Sequence, residues 1–410
     1  MSSKRQLGVG ILLFWAIAVT VGRSVRLPND FAEAHWLLDY RFGFVARGLL
    51  GTLMSLLSGC AGARPTEALI AAVAVGAFSV FCLVLLVVGL RIVQRSCWSS
   101  AAILTVLVFL TSPFVVMSAH LVGYYDNIVI MLTAASVFLL MRDKVWLAGC
   151  LQAVSVLVHE NSMLIGLPVF CLAWFVRRRQ KEALGADRLS AAPLMLPVAA
   201  FLVLAISQAL FLPAGFEQSF ARRLSEFEFV RCGRDAMVPR WFAASFIEKF
   251  EAHSGLALAH LSVAEIHGLV WPSLFGMLCY LLGAYNFRYI SVDSLAALGV
   301  CLLPLALHWI AWDVGRIWVY TILCAFLLTW IYAELFPGRL SRVPGVRLLL
   351  LAALVLNVLL VTPLMDGASD CLNLNARLLF YAPVVVAAVI LVALEDRGAT
   401  DPTRRRSSVD

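Results

Sequence analysis

The sequence carries little charge for its length. Asp, Glu, Lys and Arg make up 14% of its 410 residues, whereas they make up about 25% of an average soluble domain. Hydrophobic residues make up 62% of the chain, and the mean hydropathy is +0.90. These values exclude a soluble globular protein and predict an integral membrane protein.

Motifs for several common chemistries are missing as well. The ten cysteines include no CxxC pair, which argues against a cysteine-based metal or redox centre. Cys60, Cys232 and Cys371 fall in expected outer loops, and a Cys232–Cys371 disulfide is left open because sequence does not fix connectivity. The chain has no P-loop and no dinucleotide-binding fingerprint, and its single His-Glu pair lacks the second histidine of a zinc protease motif.

Lysine is scarce among the basic residues. Only four of the 32 are lysine, namely Lys4, Lys144, Lys181 and Lys249. The others are arginine, whose guanidinium group binds phosphate in a bidentate way that an ammonium group cannot reproduce. The composition therefore suits a protein that binds anionic groups, although it does not require one.

The apolar stretches predict an all-α, polytopic transmembrane helix bundle with about 12 crossings, since a crossing needs about 20 apolar residues. Residues 1–394 are expected to form a single transmembrane domain, and the polar segment 395–410 to be a disordered cytoplasmic tail. The expected crossings are 7–22, 67–90, 99–119, 122–141, 145–158, 161–176, 190–212, 261–285, 294–312, 317–335, 348–364 and 377–394.

Basic residues in alternate loops orient these crossings. Lys4 and Arg5 place the N-terminus in the cytoplasm, and the same pattern places the C-terminus there, as in a multi-pass protein of the inner membrane. The two long loops on the outer side are then 23–66 and 213–260. Both contain several arginines, but long loops cross the membrane largely regardless of charge, so the arginines of 213–260 are only weak support for function.

The densest group of ionisable residues follows the first crossing and is here called the first-loop cluster: Asp30, Glu33, His35, Asp39, Arg41 and Arg47. The spacing predicts an amphipathic juxtamembrane helix that begins at Asn29 or Asp30 and lies on the bilayer. Within it, His35 and Asp39 would form an i,i+4 pair. The functional interpretation is a carboxylate that acts as a general base at the membrane surface. The alternative is a capped interfacial helix with one surface pair.

Three further groups fall on the same predicted face. Asp126 stands at the start of the fourth crossing, where it is either an N-cap or a site residue. His159 and Glu160 lie where two short apolar segments meet, and a polar pair at that depth is costly unless it is partnered or wetted. Asp313 and Arg316 lie in a tight turn, where they either pair with each other or leave Arg316 to hold a phosphate.

This layout resembles the GT-C superfamily of membrane glycosyltransferases. In that family an essential carboxylate lies in the first outer loop, where this chain has the first-loop cluster, and a second acid often starts a later crossing, as Asp126 does. The segment 158–168 is similar to the family's polar stretch that leads into an apolar run ending in proline. It departs from the family pattern by carrying His159 and Glu160 where a lysine is usual.

The resemblance implies a function and a set of site residues. The donor would be a sugar linked to polyprenyl phosphate, with an arginine such as Arg316, Arg222 or Arg223 on its phosphate. The acceptor would be a glycan, a lipid or a protein, and nucleic acid is not an expected partner. No cofactor is required, although a divalent cation is left open. Catalysis is assigned to Asp39, Asp30 and Glu33, and substrate binding to His35, Arg41, Asp126, His159, Glu160, Arg222, Arg223, Asp313 and Arg316.

Two other classes of function remain open from the sequence. A transporter or flippase of a lipid-linked or anionic substrate would place polar residues on broken helices near the midplane, which the His159–Glu160 junction favours. A polysaccharide polymerase or ligase would share the long, arginine-containing outer loop. The concentration of charge on one face and the lack of an internal repeat favour the glycosyltransferase.

Overall fold

A computed structural model gives the architecture of the protein. The structure describes residues 3–60, 62–186, 189–231, 237–284, 292–339 and 345–400. In these ranges the regular structure is helical, and the only β-type pairing is an isolated bridge between Pro363 and Ser369. The prediction of an all-α protein is therefore confirmed.

The described residues of the first half of the chain form ten α-helices, and a 3-10 turn at Ala192–Leu194 leads into the tenth. They are α1 (Ser3–Gly22), α2 (Asp30–Leu37), α3 (Gly48–Cys60), α4 (Glu67–Arg95), α5 (Ser100–Leu110), α6 (Pro113–His120), α7 (Asp126–Met141), α8 (Val145–Val158), α9 (Ser162–Ala183) and α10 (Met195–Leu210).

In the second half, the part of the chain that the structure describes forms four short α-helices followed by five longer ones, with a 3-10 helix at Leu303–Trp309. They are α11 (Phe216–Ser225), α12 (Met237–Ala243), α13 (Phe246–His253), α14 (Ala257–Leu261), α15 (Ala264–Ala284), α16 (Val292–Leu302), α17 (Val314–Leu335), α18 (Val346–Leu359) and α19 (Leu374–Thr400). The last of these continues past the predicted end of the final crossing at 394.

Eight helical segments in the described part of the chain are long and apolar enough to cross a membrane. Each expected crossing contains a helix, but α7, α8 and α18 have only 14 to 16 residues. The helices indicate a membrane protein, whereas a count of about 12 crossings is not confirmed. The eight segments are Ser3–Gly22, Glu67–Arg95, Ser100–His120, Ala192–Leu210, Ala264–Gly283, Val292–Trp309, Val314–Leu335 and Leu374–Leu394.

The centre of the bundle is formed by the α5–α6 segment and by α17, which are buried over nearly their whole length. The rings of Phe109 and Phe326 stack across this centre with their centroids 3.6 Å apart. Pro113 divides α5 from α6, because proline lacks the amide hydrogen that would continue the helix but fits its first turn. Apolar surfaces of the surrounding helices remain exposed, as expected for helices in contact with lipid.

The two ends of the bundle carry different sets of polar residues. The beginning of α17 lies beside the end of α2 and the starts of α7 and α9, while its other end lies roughly 33 Å away, given 1.5 Å of rise per residue. The alternate basic loops of the sequence meet at that far end. Its ion pairs are Arg95–Glu334, Arg177–Asp143, Lys181–Asp143 and Arg179–Asp293.

A buried ion pair joins the first crossing to the last part of the chain. Arg23 is 1% exposed and pairs with Asp370, and its guanidinium also donates to the carbonyl oxygens of Asn357 and Leu360 at 2.9 Å. Removing one partner of such a pair would leave a buried charge, which costs about 3–5 kcal/mol. This contact therefore fixes the end of α1 against α18.

Asn357 connects three helices in the apolar interior. Its amide nitrogen donates to the Val108 carbonyl oxygen at 2.9 Å and to the Thr111 hydroxyl at 3.2 Å, both on α5 or at its end. Its amide oxygen accepts from the Ser273 hydroxyl of α15 at 2.8 Å. Both ends of the buried amide group are therefore hydrogen-bonded to neighbouring helices.

The structure corrects the predicted juxtamembrane helix. Asn29 does cap α2, accepting from the amide of Ala32 at 2.9 Å, but the helix ends at Leu37. The expected i,i+4 pair of His35 with Asp39 therefore does not form. Instead of lying with an exposed apolar face, α2 is largely buried between α3, α4 and α11, and Leu38 directly after it is completely buried as well.

The possible disulfide is not formed by the described residues. Cys60 and Cys371 are free and exposed. Cys232 lies outside the described residues, so the pairing with Cys371 that the sequence leaves open lies outside them as well.

Candidate functional site

A small cavity of about 90 Å³ lies at the end of the bundle where α2, α9 and α17 meet. Its lining contains five charged side chains together with aromatic and apolar groups. The charged members are Arg47, Glu160, Lys249, Asp313 and Arg316. The volume suits a group the size of a few water molecules or a phosphate, and it is smaller than a pocket for a whole organic ligand.

Arg47 and Glu160 form the first of two ion-pair systems in this cavity. The guanidinium binds the carboxylate through two contacts, Nε to Oε2 at 3.2 Å and Nη2 to Oε1 at 2.7 Å. Arg47 also contacts His35, with Nη1 at 3.2 Å from Nε2 of the imidazole. Nδ1 of His35 is 2.7 Å from the carbonyl oxygen of Phe31. A carbonyl only accepts, so Nδ1 carries the proton and Nε2 accepts from Arg47.

Glu160 has two further neighbours. Nδ1 of His159 lies 3.2 Å from Oε2, and Nζ of Lys249 lies 3.7 Å from Oε1. The latter distance is too long for a charge-assisted hydrogen bond, which normally measures 2.7–2.9 Å. The ammonium group of Lys249 thus faces the cavity while remaining close enough to attract the carboxylate.

Arg316 joins the second system. Its Nη1 lies 3.2 Å from Oδ2 of Asp126, and its Nε lies 2.7 Å from Oδ2 of Asp313. Asp313 also caps α17 by accepting from the backbone amide of Arg316 at 3.3 Å. One arginine therefore pairs with two buried carboxylates, which come from the starts of α7 and α17.

Local backbone features hold these groups in place. Arg47 has a φ of 69°, which is uncommon for a residue with a side chain and is a conformation often found at functional sites. Gly123, with a φ of 95°, packs against Pro28 and Ala32, and an added Cβ would lie 2.8 Å from Pro28. This close approach brings the α6–α7 loop onto α2, so that Asp126 and His35 border the same space.

The protonation states follow from this arrangement. Burial alone would raise the pKa of Glu160, but Arg47 and then His159 and Lys249 hold it well below its usual range. Burial and the charge of Arg47 lower the pKa of His35 well below its usual value, so the imidazole is neutral. Burial lowers the pKa of Lys249, an effect that Glu160 partly offsets.

Half of the predicted site residues line or border this cavity. His35, Glu160, Asp313 and Arg316 line it directly, and Asp126 lies behind Arg316. His159 is buried next to Glu160.

The first-loop carboxylates lie elsewhere. Asp39 is 1% exposed, with both oxygens held by Arg41 and one also by the hydroxyl of Ser55 at 2.8 Å. Asp30 accepts from the backbone amide of Arg231 at 3.1 Å. None of these residues lines the cavity, so the carboxylates to which catalysis was assigned are not part of it.

Glu33 and the arginines of α11 are also outside the cavity. Glu33 is buried, and burial together with the carboxylates of Glu67 and Asp30 raises its pKa to about 7. Arg223 pairs with Glu226 at 2.8 Å, and Arg222 is exposed. Neither arginine lines the cavity, so the phosphate-binding role predicted for them is not placed there.

Two cavity cations have no role among the predicted site residues. Arg47 belongs to the first-loop cluster but carries no assigned function, and Lys249 is the only lysine of the long outer loop. A role for either cation depends on which loops meet in the fold, and the sequence does not show that.

A larger groove of about 860 Å³ adjoins the cavity on the side of α11 and α13. It shares Gln208, Trp241 and Lys249 with the cavity. Gln208 donates to the carbonyl oxygens of Phe242 and Ala244 at 3.0 and 2.9 Å, which holds the end of α12 in place between the two spaces. The Lys249 side chain thus stands at the boundary between them.

The carboxylates of the site do not fit a divalent cation. Glu160, Asp126 and Asp313 are each paired with an arginine, and among the described residues no three His, Cys, Asp or Glu side chains are grouped to hold a metal ion. Three cations, Arg47, Lys249 and Arg316, face the cavity, and of these Lys249 has no carboxylate oxygen closer than 3.7 Å.

Comparisons of this chain with protein-family models, with characterised proteins and with solved structures found no match.

Proposed function

We propose that this protein is a GT-C-type membrane glycosyltransferase that transfers a sugar from a polyprenyl-phosphate donor to an acceptor at the outer surface of the inner membrane. In this proposal both termini are cytoplasmic, and the cavity faces the periplasm. The proposal accords with the charge pattern of the loops and with the layout of the first outer loop.

One observation carries the proposal: three cations face a small cavity that has an apolar wall next to the lipid. That wall is α10, whose residues Phe201, Leu204 and Ala205 line the cavity. On the other faces of the same helix, Leu202 and Val203 are more than half exposed. A phosphate among the cations, with an isoprenoid chain beside α10, would satisfy both environments.

The cavity side chains suit the chemistry of such a transfer. Arg47, Lys249 and Arg316 would hold the donor phosphate and stabilise the charge that develops on it as the sugar leaves. The acceptor hydroxyl needs a base, and the carboxylates within reach of the cavity are Glu160 and Asp313. The first-loop acids Asp39 and Asp30 would then serve the fold of the loop.

The test is reconstitution of the purified protein in liposomes with polyprenyl-phosphate donors labelled in the sugar. Expected products are a glycosylated acceptor and free polyprenyl phosphate, from a panel of glycan, lipid and peptide acceptors. Arg316→Lys keeps a positive charge but loses the forked contacts, and it should reduce turnover. Lys181→Met at the opposite end of the bundle should leave turnover unchanged.

The same experiment separates the alternatives. Movement of intact donor across the bilayer without cleavage of the sugar–phosphate bond would identify a transporter or flippase and refute the proposal. Joining of two lipid-linked glycans, with no transfer from a single-sugar donor, would identify a polymerase or ligase.

A further inference from the structure

Glu160 is enclosed by groups that favour its charged form. Arg47 comes from the loop before α3, His159 from the end of α8 and Lys249 from α13. Behind Arg47 stands His35 of α2, which is neutral. A carboxylate held in this way is a poor proton acceptor. Glu160 is nevertheless the more exposed of the two carboxylates that line the cavity, since its side chain is 16% exposed and that of Asp313 is 6% exposed.

The groups that hold Glu160 are also the groups that would bind an anion. Lys249 has no hydrogen bond to Glu160 at 3.7 Å and lines the cavity. Arg47 lines it as well. An anion that entered would therefore share both cations with the carboxylate, and each contact that it took from Glu160 would make that carboxylate more basic.

We propose that binding of the donor phosphate to Arg47 and Lys249 converts Glu160 from a salt-bridged carboxylate into the proton acceptor for the acceptor hydroxyl. This inference rests on the proposed function. Glu160 becomes a base only when the donor is bound, which limits proton transfer to the complex in which a sugar is ready to react.

The step is balanced within the cavity. The acceptor oxygen forms a bond to the anomeric carbon of the sugar, and the bond between that carbon and the phosphate oxygen breaks. The electron pair leaves with polyprenyl phosphate, held by Arg47, Lys249 and Arg316. The hydroxyl proton passes to Glu160, which returns it to water after the products leave.

Asp313 is a weaker candidate for this role. Its carboxylate caps α17 through the amide of Arg316 and also pairs with the guanidinium of the same residue. That guanidinium in turn holds Asp126 at 3.2 Å. Freeing Asp313 would disturb the start of α17 as well as the second ion pair. Glu160 loses both of its cationic partners when Arg47 and Lys249 turn towards the anion, and it keeps only His159 as a neighbour.

The experiment measures proton uptake when a phosphate group binds. The probe is a short-chain prenyl phosphodiester without sugar, which itself does not titrate between pH 4.5 and 7 and cannot be cleaved at a glycosidic bond. Calorimetric titration in two buffers of different ionisation enthalpy gives the protons taken up per bound probe. Wild-type protein should take up as much as about one proton, with the uptake largest towards the acid end of this range.

The controls separate this inference from the proposed function. Glu160→Gln should bind the probe without proton uptake and, with the real donor, lose about 10²-fold or more in kcat. Binding by the wild type without uptake, or equal uptake by Glu160→Gln, would overturn the role of Glu160 while leaving a phosphate site. No binding at all would overturn both proposals.

A measurement on the wild type covers the case in which the variant does not fold. Infrared difference spectra with and without the probe should show a new band of a protonated carboxyl group, and labelling of glutamate with ¹³C should shift it. A band that shifts only with labelled aspartate would assign the proton to another residue and refute the inference.

Discussion

Replacing Lys249 by methionine tests the phosphate site with little effect on the fold. Methionine keeps much of the length of the side chain and removes the charge. Lys249 makes no close ion pair, since its nearest carboxylate oxygen lies 3.7 Å away, and burial already lowers the pKa of its ammonium group. We therefore expect the thermal stability of Lys249→Met to stay close to that of the wild type.

The effect on the donor should be much larger. A hydrogen bond between charged groups contributes about 1.5–3 kcal/mol, and each 1.4 kcal/mol corresponds to about a tenfold change in affinity. Loss of one such contact to phosphate should raise the KM for the donor by about 10- to 150-fold. Lys249→Arg, which retains the charge, should recover most of the affinity.

The assay is steady-state transfer from a water-soluble, short-chain prenyl-phosphate sugar in nanodiscs. Lys181→Met provides the matched control, because Lys181 pairs with Asp143 at the other end of the bundle. If Lys249→Met has a kcat/KM within twofold of the wild type, the cation does not touch the donor and the phosphate site is misplaced.

Three further predictions concern the acids outside the cavity. Asp39→Asn should lower the melting temperature but leave the activity per folded molecule nearly unchanged, since Asp39 is held by Arg41 away from the cavity. A loss of activity of about 10²-fold in a fully folded variant would instead make Asp39 the base. Burial and nearby carboxylates raise the pKa of Glu33 to about 7. Because the folded protein then holds this proton more tightly than the unfolded chain, the free energy of unfolding should fall as pH rises from 4.5 through 7, by up to about 3 kcal/mol at pH 8. Denaturation measured across this pH range should show that Glu33→Gln removes the loss. Asp370→Asn should cost about 3–5 kcal/mol by leaving Arg23 buried without its counter-ion, and an unchanged unfolding midpoint in detergent would contradict that cost.

Much of the helical framework was predictable from the sequence, because the bilayer imposes long apolar stretches between polar loops. The helices follow the expected crossings, and alternate basic loops meet at one end of the bundle, as Arg95, Lys181 and Asp143 do. The number of crossings was not predictable to the same degree. Helices such as α8 and α18 are short, and apolar length alone does not distinguish a full crossing from a buried half-helix.

The candidate site was only partly predictable. Local spacing correctly suggested the pairing of Asp313 with Arg316, which lie three residues apart. It failed for Asp39, because the chain leaves the helix before that residue and Arg41, two positions further on, takes the carboxylate. It also missed the pairing of Arg47 with Glu160, since contacts between residues 113 positions apart depend on how the loops fold together.

The amide of Asn357 has a consequence for how this bundle tolerates change. When two apolar helices in a bilayer slide along each other, the hydrophobic effect does not favour one register over another, because lipid is as apolar as their side chains. A single inserted residue in α18 before Asn357 would turn that side chain by about 100° and shift it by about 1.5 Å. Its bonds to Val108 and Ser273 would then be broken together. We therefore expect length changes in this helix to be rejected even where every inserted residue is hydrophobic.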